Sequence, residues 1–144
     1  LAGVGPRDDL AGQTLGSMRP ATEDAVEQVR RPEVLLALGV RQVTKTVLFP
    51  VRFLYTATTG LVGTNESAAQ HYIAGRQAPS AELVGAALAW RKTPPDEVLA
   101  KALLRLEMIP LYMHYINDHI ARLTELNRFD LAHAFVEWRG RINT

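Results

Sequence analysis

The chain has 144 residues, 47% hydrophobic and 22% charged, enough for one domain that buries roughly 68–70% of its unfolded surface. The 16 basic and 15 acidic residues leave a formal net charge of +1, a balance that does not point to nucleic acid or a membrane surface as partner. There is no cysteine, which excludes a disulfide scaffold and a thiolate metal site, and no apolar run is long enough for a bilayer-spanning helix.

Residues 1–20 hold four of the ten glycines and two prolines and read as a connector. Their start, LAGVGPRDDL, lacks the charged beginning and apolar core of a signal peptide. It begins on an apolar residue with no Met and reads as the middle of a longer chain. The Ala-rich composition, with 13 Arg against 3 Lys, suits a high-GC bacterial genome, and the expected location is the cytoplasm.

A helix is expected from Thr22, with Thr22 as N-cap and Glu23 and Asp24 in the first turn, where carboxylates suit the helix dipole. Pro32 interrupts it. From Glu33 to Thr59, Leu36, Val40, Val43, Val47, Val51, Leu54 and Thr58 follow the 3- and 4-residue steps of one helix face. Pro50 predicts a kink or break, and Gly60 is placed to end the run. A short helix follows Thr64 as far as about Ala74, and Gly75 stops it. Ser80 is the expected cap of the next, which ends near Trp90. Thr93-Pro94-Pro95-Asp96 reads as a start signal, with Thr as N-cap and Pro at the first helical position. The helix after it reaches toward Leu126. Leu99, Ala102, Leu106, Ile109, Met113, Ile116, Ile120 and Leu123 form its expected core stripe, widened by Leu104, Met108, Leu111, Tyr112 and Tyr115, with a kink near Pro110. The last helix, Asp130 to Arg139, turns Leu131, Phe135 and Trp138 inward and ends at Gly140. The expected fold is all-α: a bundle of about six helices around a long, kinked central one.

Chemistry concentrates in Arg41–Gly60. Arg41, Lys45, Arg52, Thr56 and Thr59 lie along a face other than the apolar one, and Arg52 interrupts the run VLFPVRFLY. A guanidinium there needs a carboxylate, carbonyls or a phosphate. Two readings compete: an anion site of Arg52 with Lys45, or an internal salt bridge to a neighbouring helix. His114 and Asp118 are four apart on a helix, as are Tyr115 and His119, but one helical pair is too few ligands for a zinc site. Arg128 and His133 have the R-x4-H spacing of helical HEPN-type ribonucleases, although Asp130 between them suits a helix cap. Gly16-Ser17 with Glu23 and Asp24 lacks the alternating strand carboxylates that hold the two metals of a nucleotidyltransferase, so catalytic carboxylates are absent from this chain.

The stretch Val43–Ile73 resembles the helical C-terminal domain of the spectinomycin/streptomycin adenylyltransferases and their relatives. It has an apolar helix ending in Arg-x-x-Tyr (Arg52, Tyr55), then Thr59-Gly60, a short loop, and a helix opening with Ala68-Ala69. LAGVGPRDDL resembles the segment that leaves the family's nucleotidyltransferase domain, so the likeness covers most of residues 1–92. The resemblance implies that residues 1–20 connect to a missing N-terminal catalytic domain. Residues 21–144 would then form a helical domain covering its NTP and acceptor site, inactive alone. Arg52 matches the arginine that contacts nucleotide phosphates. The family's lysine at the start of the next helix corresponds to Asn65, and its tyrosine at the end of the helix after that to Trp90. Arg52, Lys45, Asn65 and Trp90 are therefore the expected nucleotide-binding residues. Mg²⁺ and an NTP are expected for a full-length parent, with no metal or cofactor held by this chain itself. The expected partners are that N-terminal domain and a small-molecule acceptor of unknown identity, without nucleic acid or membrane. The family's drug-binding acids precede the apolar helix, whereas ALGVRQVTKT has none, so an aminocyclitol cation would lack its counter-charge. The alternatives are a non-catalytic ligand- or protein-binding helical module, and a HEPN-like ribonuclease using Arg128 and His133.

Overall fold

The computed structural model describes residues 22–75 and 78–143, and every described element is a helix. There are seven: α1 (Thr22–Arg30), α2 (Pro32–Ala37), α3 (Val40–Thr59), α4 (Asn65–Ala74), α5 (Ala81–Trp90), α6 (Glu97–Glu125) and α7 (Phe129–Ile142). The connector expected over residues 1–20, with Gly16-Ser17, lies outside the described residues, as do the side chains of Thr22, Glu23 and Asp24. None of the described helices is long and apolar enough to cross a membrane.

The 29-residue α6 is the centre, packed against α1, α2, α3, α5 and α7, while α3, α4 and α5 pack against one another beside it. Two breaks set this arrangement. Pro32 separates α1 from α2 and stands at the first turn of α2, where its missing N–H leaves nothing unpaired. The apolar run expected as one segment from Glu33 to Thr59 is divided at Gly39, whose φ of 98° is closed to most side chains and which opens α3. Gly60 ends α3 in the left-handed conformation, as expected.

Pro50 and Pro110 both lie inside continuous helices. Pro50 has no N–H for the carbonyl of Thr46, four residues earlier. Tyr112 supplies the missing donor: its hydroxyl donates to Thr46 O at 2.6 Å. Burial pushes the Tyr112 hydroxyl well above its ordinary pKa, so it remains the proton donor of this pair. Pro110 is on the exposed side of α6, as is Leu106, the residue whose carbonyl it leaves without an N–H. Tyr112→Phe is expected to leave the Thr46 carbonyl buried and unpaired. Chemical denaturation should then show a loss of about 1–3 kcal/mol. An unchanged midpoint would mean that α3 tolerates the orphaned carbonyl.

Of three helix starts, two differ in detail from the sequence expectation. The helix expected after Thr64 is α4, and Thr64 caps it, accepting from Ser67 N while Ser67 Oγ accepts from Thr64 N, a capping box. Ser80 precedes α5 but does not cap it: its hydroxyl donates to Glu107 O at 2.8 Å. The α5 start is served from another helix, since Glu107 Oε1 accepts from Leu83 N at 3.0 Å. The cap of α6 is Asp96, accepting from Val98 N and Leu99 N, not Thr93, and both prolines stand before the helix. α7 extends beyond the expected end at Gly140 to Ile142. The turn before it is a Schellman closure: Asn127 has φ 59°, Asn127 N donates to Thr124 O, and Arg128 N donates to Leu123 O.

The core face of α6 also differs. Leu99 is 69% and Leu106 71% exposed, and Ala102 is exposed, although all three belong to the expected stripe. The buried face is Ala100, Leu104, Glu107, Met108, Leu111, Tyr112, Tyr115, Ile116, His119 and Leu123. α6 carries apolar residues around more than one face, so periodicity alone does not say which face turns inward. The wider face bearing the two tyrosines does. Tyr115 is fully buried, with its ring 6.0–6.4 Å from those of Phe49, Phe53, Tyr112, Phe135 and Trp138 and 4.6 Å from His119.

Candidate cationic cleft

A helix of 20 residues places residues 41, 45, 48, 52, 55 and 56 along one side, because 3.6 residues complete a turn. On α3 this side lines a cleft of about 620 Å³ between α3, the α3–α4 loop, the start of α4 and the end of α5. Arg41, Lys45 and Arg52 come from α3, and Arg91 comes from the end of α5. No aspartate or glutamate is among the lining residues. The apolar floor is Leu48, Phe49 and Phe53, with the two phenyl rings 4.8 Å apart and backed by Tyr115 of the core.

Arg52 is exposed, and no carboxylate among the described residues pairs with it. The internal salt bridge that was one reading of this arginine is therefore corrected. The side chain leaves α3 on the cleft side, and the apolar residues around it in sequence (Val51, Leu54) turn into the core without it. Lys45 and Arg41 are exposed on the same side. Thr56 lines the cleft, whereas Thr59 serves the chain reversal, its hydroxyl donating to Tyr55 O and accepting from Leu61 N.

The rim on the other side is held by the loop. Gly63 lies so close to the Tyr55 ring that a Cβ there would strike it and stand 2.6 Å from Ser67 Oγ. This close approach seats the beginning of α4 against the C-terminal half of α3 and brings Asn65 to the cleft wall. Arg91 NH1 donates to Glu66 Oε1 at 3.2 Å, a solvent-exposed pair that ties the end of α5 to the same α4 turn.

Three of the four residues expected at a nucleotide site, Arg52, Lys45 and Asn65, therefore line one cleft. Trp90 does not. It is half-buried, packed against the core, and its neighbour Arg91 lines the cleft in its place. One residue along a helix turns the side chain by about 100°, so an aligned position need not share a face. Arg91 was not singled out by the sequence reading, because a lone arginine at a helix end is the ordinary partner of the last carbonyls.

The other candidate groups are placed elsewhere. His114 Nδ1 is 3.3 Å from the Tyr72 hydroxyl, whose pKa burial raises. Asp118 accepts from Arg122 Nε at 2.7 Å, and Arg122 also reaches Thr58 Oγ1. His119 is buried, its Nδ1 3.2 Å from Tyr115 O, and burial lowers its pKa to about 4. Among the described residues no three His, Asp or Glu side chains are grouped to hold a metal ion. Arg128 Nε lies 3.9 Å from Asp130 Oδ1, while His133 Nε2 is 3.4 Å from Glu137 Oε1, and neither residue lines the cleft. Comparison with family models, curated proteins and solved structures yields no match to this chain.

Proposed function

We propose that the cleft binds the phosphates of a nucleoside triphosphate, and that the bundle is the substrate-covering half of a nucleotidyltransferase-like protein. The observation that carries this reading is the exposed Arg52 in a cleft with Arg41 and Lys45, with Arg91 paired to Glu66 at the rim and no carboxylate in its lining. Such a surface suits a group with several negative oxygens, and arginine meets phosphate oxygens with two parallel N–H donors. The resemblance over Val43–Ile73 selects a nucleotide among such anions. Phe49 and Phe53 offer an apolar shelf for the base, and Asn65 a neutral donor beside the phosphates.

In the complete reaction an acceptor hydroxyl would give its proton to a base of the catalytic domain, its oxygen would bond to the α-phosphorus, the bond from that phosphorus to the bridging oxygen would break, and pyrophosphate would leave. The carboxylates and Mg²⁺ for that step belong to a separate catalytic domain. The role of this chain's residues is to hold the phosphates and neutralise their charge. The second reading is a non-catalytic ligand-binding module. It draws on Asn65, which leaves the α4 start without the lysine charge of the family pattern.

The test is titration of the chain with ATP, followed by amide NMR. In an open cleft the cations are screened by salt, so the expected Kd is on the order of 1 mM. Shifts should centre on Arg52, Thr56 and Asn65. Arg52→Ala should weaken that binding measurably, and in a full-length parent by about 1.5–3 kcal/mol, the range for a charge-assisted hydrogen bond. The same substitution should change folding stability by less than about 1 kcal/mol, because no buried partner is orphaned. Shifts spread evenly over the surface, or unaltered by the substitution, would end the nucleotide reading. A collapse of the melting temperature in the variant would return Arg52 to a structural role.

A further inference from the structure

The four cations are not evenly spread. Arg41 and Lys45 are one turn apart, about 6 Å along the α3 axis and within about 40° around it. Arg52 lies roughly 10 Å beyond Lys45 on the same side. Between them the lining is apolar, Leu48 and Phe49. Arg91 belongs to the Arg52 end, because its partner Glu66 follows Asn65 where the loop glycine seats α4 against Tyr55. The cleft thus has a cationic end at Arg52, with Arg91 beside it paired to Glu66, an aromatic middle, and a second cationic end at Arg41 and Lys45.

We infer that the cleft takes two anionic groups at once: nucleotide phosphates at the Arg52 end, and a phosphate or carboxylate of the acceptor at Arg41 and Lys45. This rests on the nucleotide reading of the Arg52 end. A nucleotide with its phosphates there lays its base over Phe49 and Phe53. Its charged groups are then spent, and nothing in it answers Arg41 and Lys45 on the far side of the base. No carboxylate in the lining neutralises those two cations. The acceptor that fits is a small hydroxyl compound carrying negative charge. A polyamine or aminoglycoside would meet repulsion where it needs an acid.

The probes are ATP, inorganic phosphate, acetate and spermidine, titrated into the wild-type chain, Arg41→Gln/Lys45→Gln and Arg52→Gln, each followed by amide NMR. All three substituted side chains are exposed, so the fold should survive. With ATP at saturation, phosphate or acetate should still shift the amides of Arg41, Thr44 and Lys45. The double variant should weaken that second event roughly ten-fold or more and ATP by a clearly smaller factor, with the reverse pattern for Arg52→Gln. Tighter binding of phosphate marks a phosphorylated acceptor, and tighter binding of acetate a carboxylated one. Displacement of the second anion by ATP, an equal loss of ATP affinity in both variants, or spermidine binding at Arg41 and Lys45 would each overturn the inference. Two independent anion events with no response to ATP would sustain the two-ended cleft and remove the nucleotide instead.

Discussion

Tyr115→Ala is expected to cost about 3–5 kcal/mol of folding stability, the range for emptying a fully buried aromatic position. Tyr115 touches both walls of the bundle. It meets Phe49 and Phe53 on α3 and Phe135 and Trp138 on α7. Neighbouring rings cannot all collapse into the space, since each is already held edge-on or tilted by others. Phe49 and Phe53 also form the cleft floor, so the loss should reach the site: ATP affinity should fall together with stability. Urea denaturation and an ATP titration of the variant check both halves. A loss under about 1 kcal/mol would mean that the α3–α6–α7 seam repacks freely.

The second large effect is on pH. His119 is 3% exposed, among Tyr115, Phe135 and the backbone of its own helix, with Asp118 Oδ2 3.6 Å away and Arg122 beyond it on the same carboxylate. Burial favours the neutral ring and lowers its pKa from 6.5 to about 4. The unfolded chain therefore binds a proton at a higher pH than the folded one does. This contribution to stability is full above pH 6.5 and is lost as pH falls toward 4, by about 3 kcal/mol in all. Denaturation of the wild type and His119→Gln at pH 7 and at pH 4.5 isolates the effect. The variant should be less stable at pH 7, yet lose less on acidification than the wild type does. Parallel losses in the two proteins would show that the ring is protonated in the folded state.

Local sequence settled the all-α class and most helix ends. Capping and helix-breaking are decided within a few residues: Pro32 between two helices, Gly60 in the left-handed conformation, and Thr64 with Ser67 at the α4 start. It also marked the cleft's main axis, since Arg52 within VLFPVRFLY and Lys45 about two turns away on the same side are visible as a pattern on α3. Tertiary structure decided what depends on a second helix. Periodicity could not choose between the faces of α6, because both carry enough apolar area, and packing against α3 and α7 exposed Leu99 and Leu106. Glu107 as the cap of α5, and Tyr112 as donor to the carbonyl left by Pro50, join residues 24 and 66 positions apart, beyond any local rule. The cleft's fourth cation has the same cause. Arg91 becomes a cleft residue, and Trp90 does not, only when the end of α5 docks beside α4 and fixes which way each side chain points.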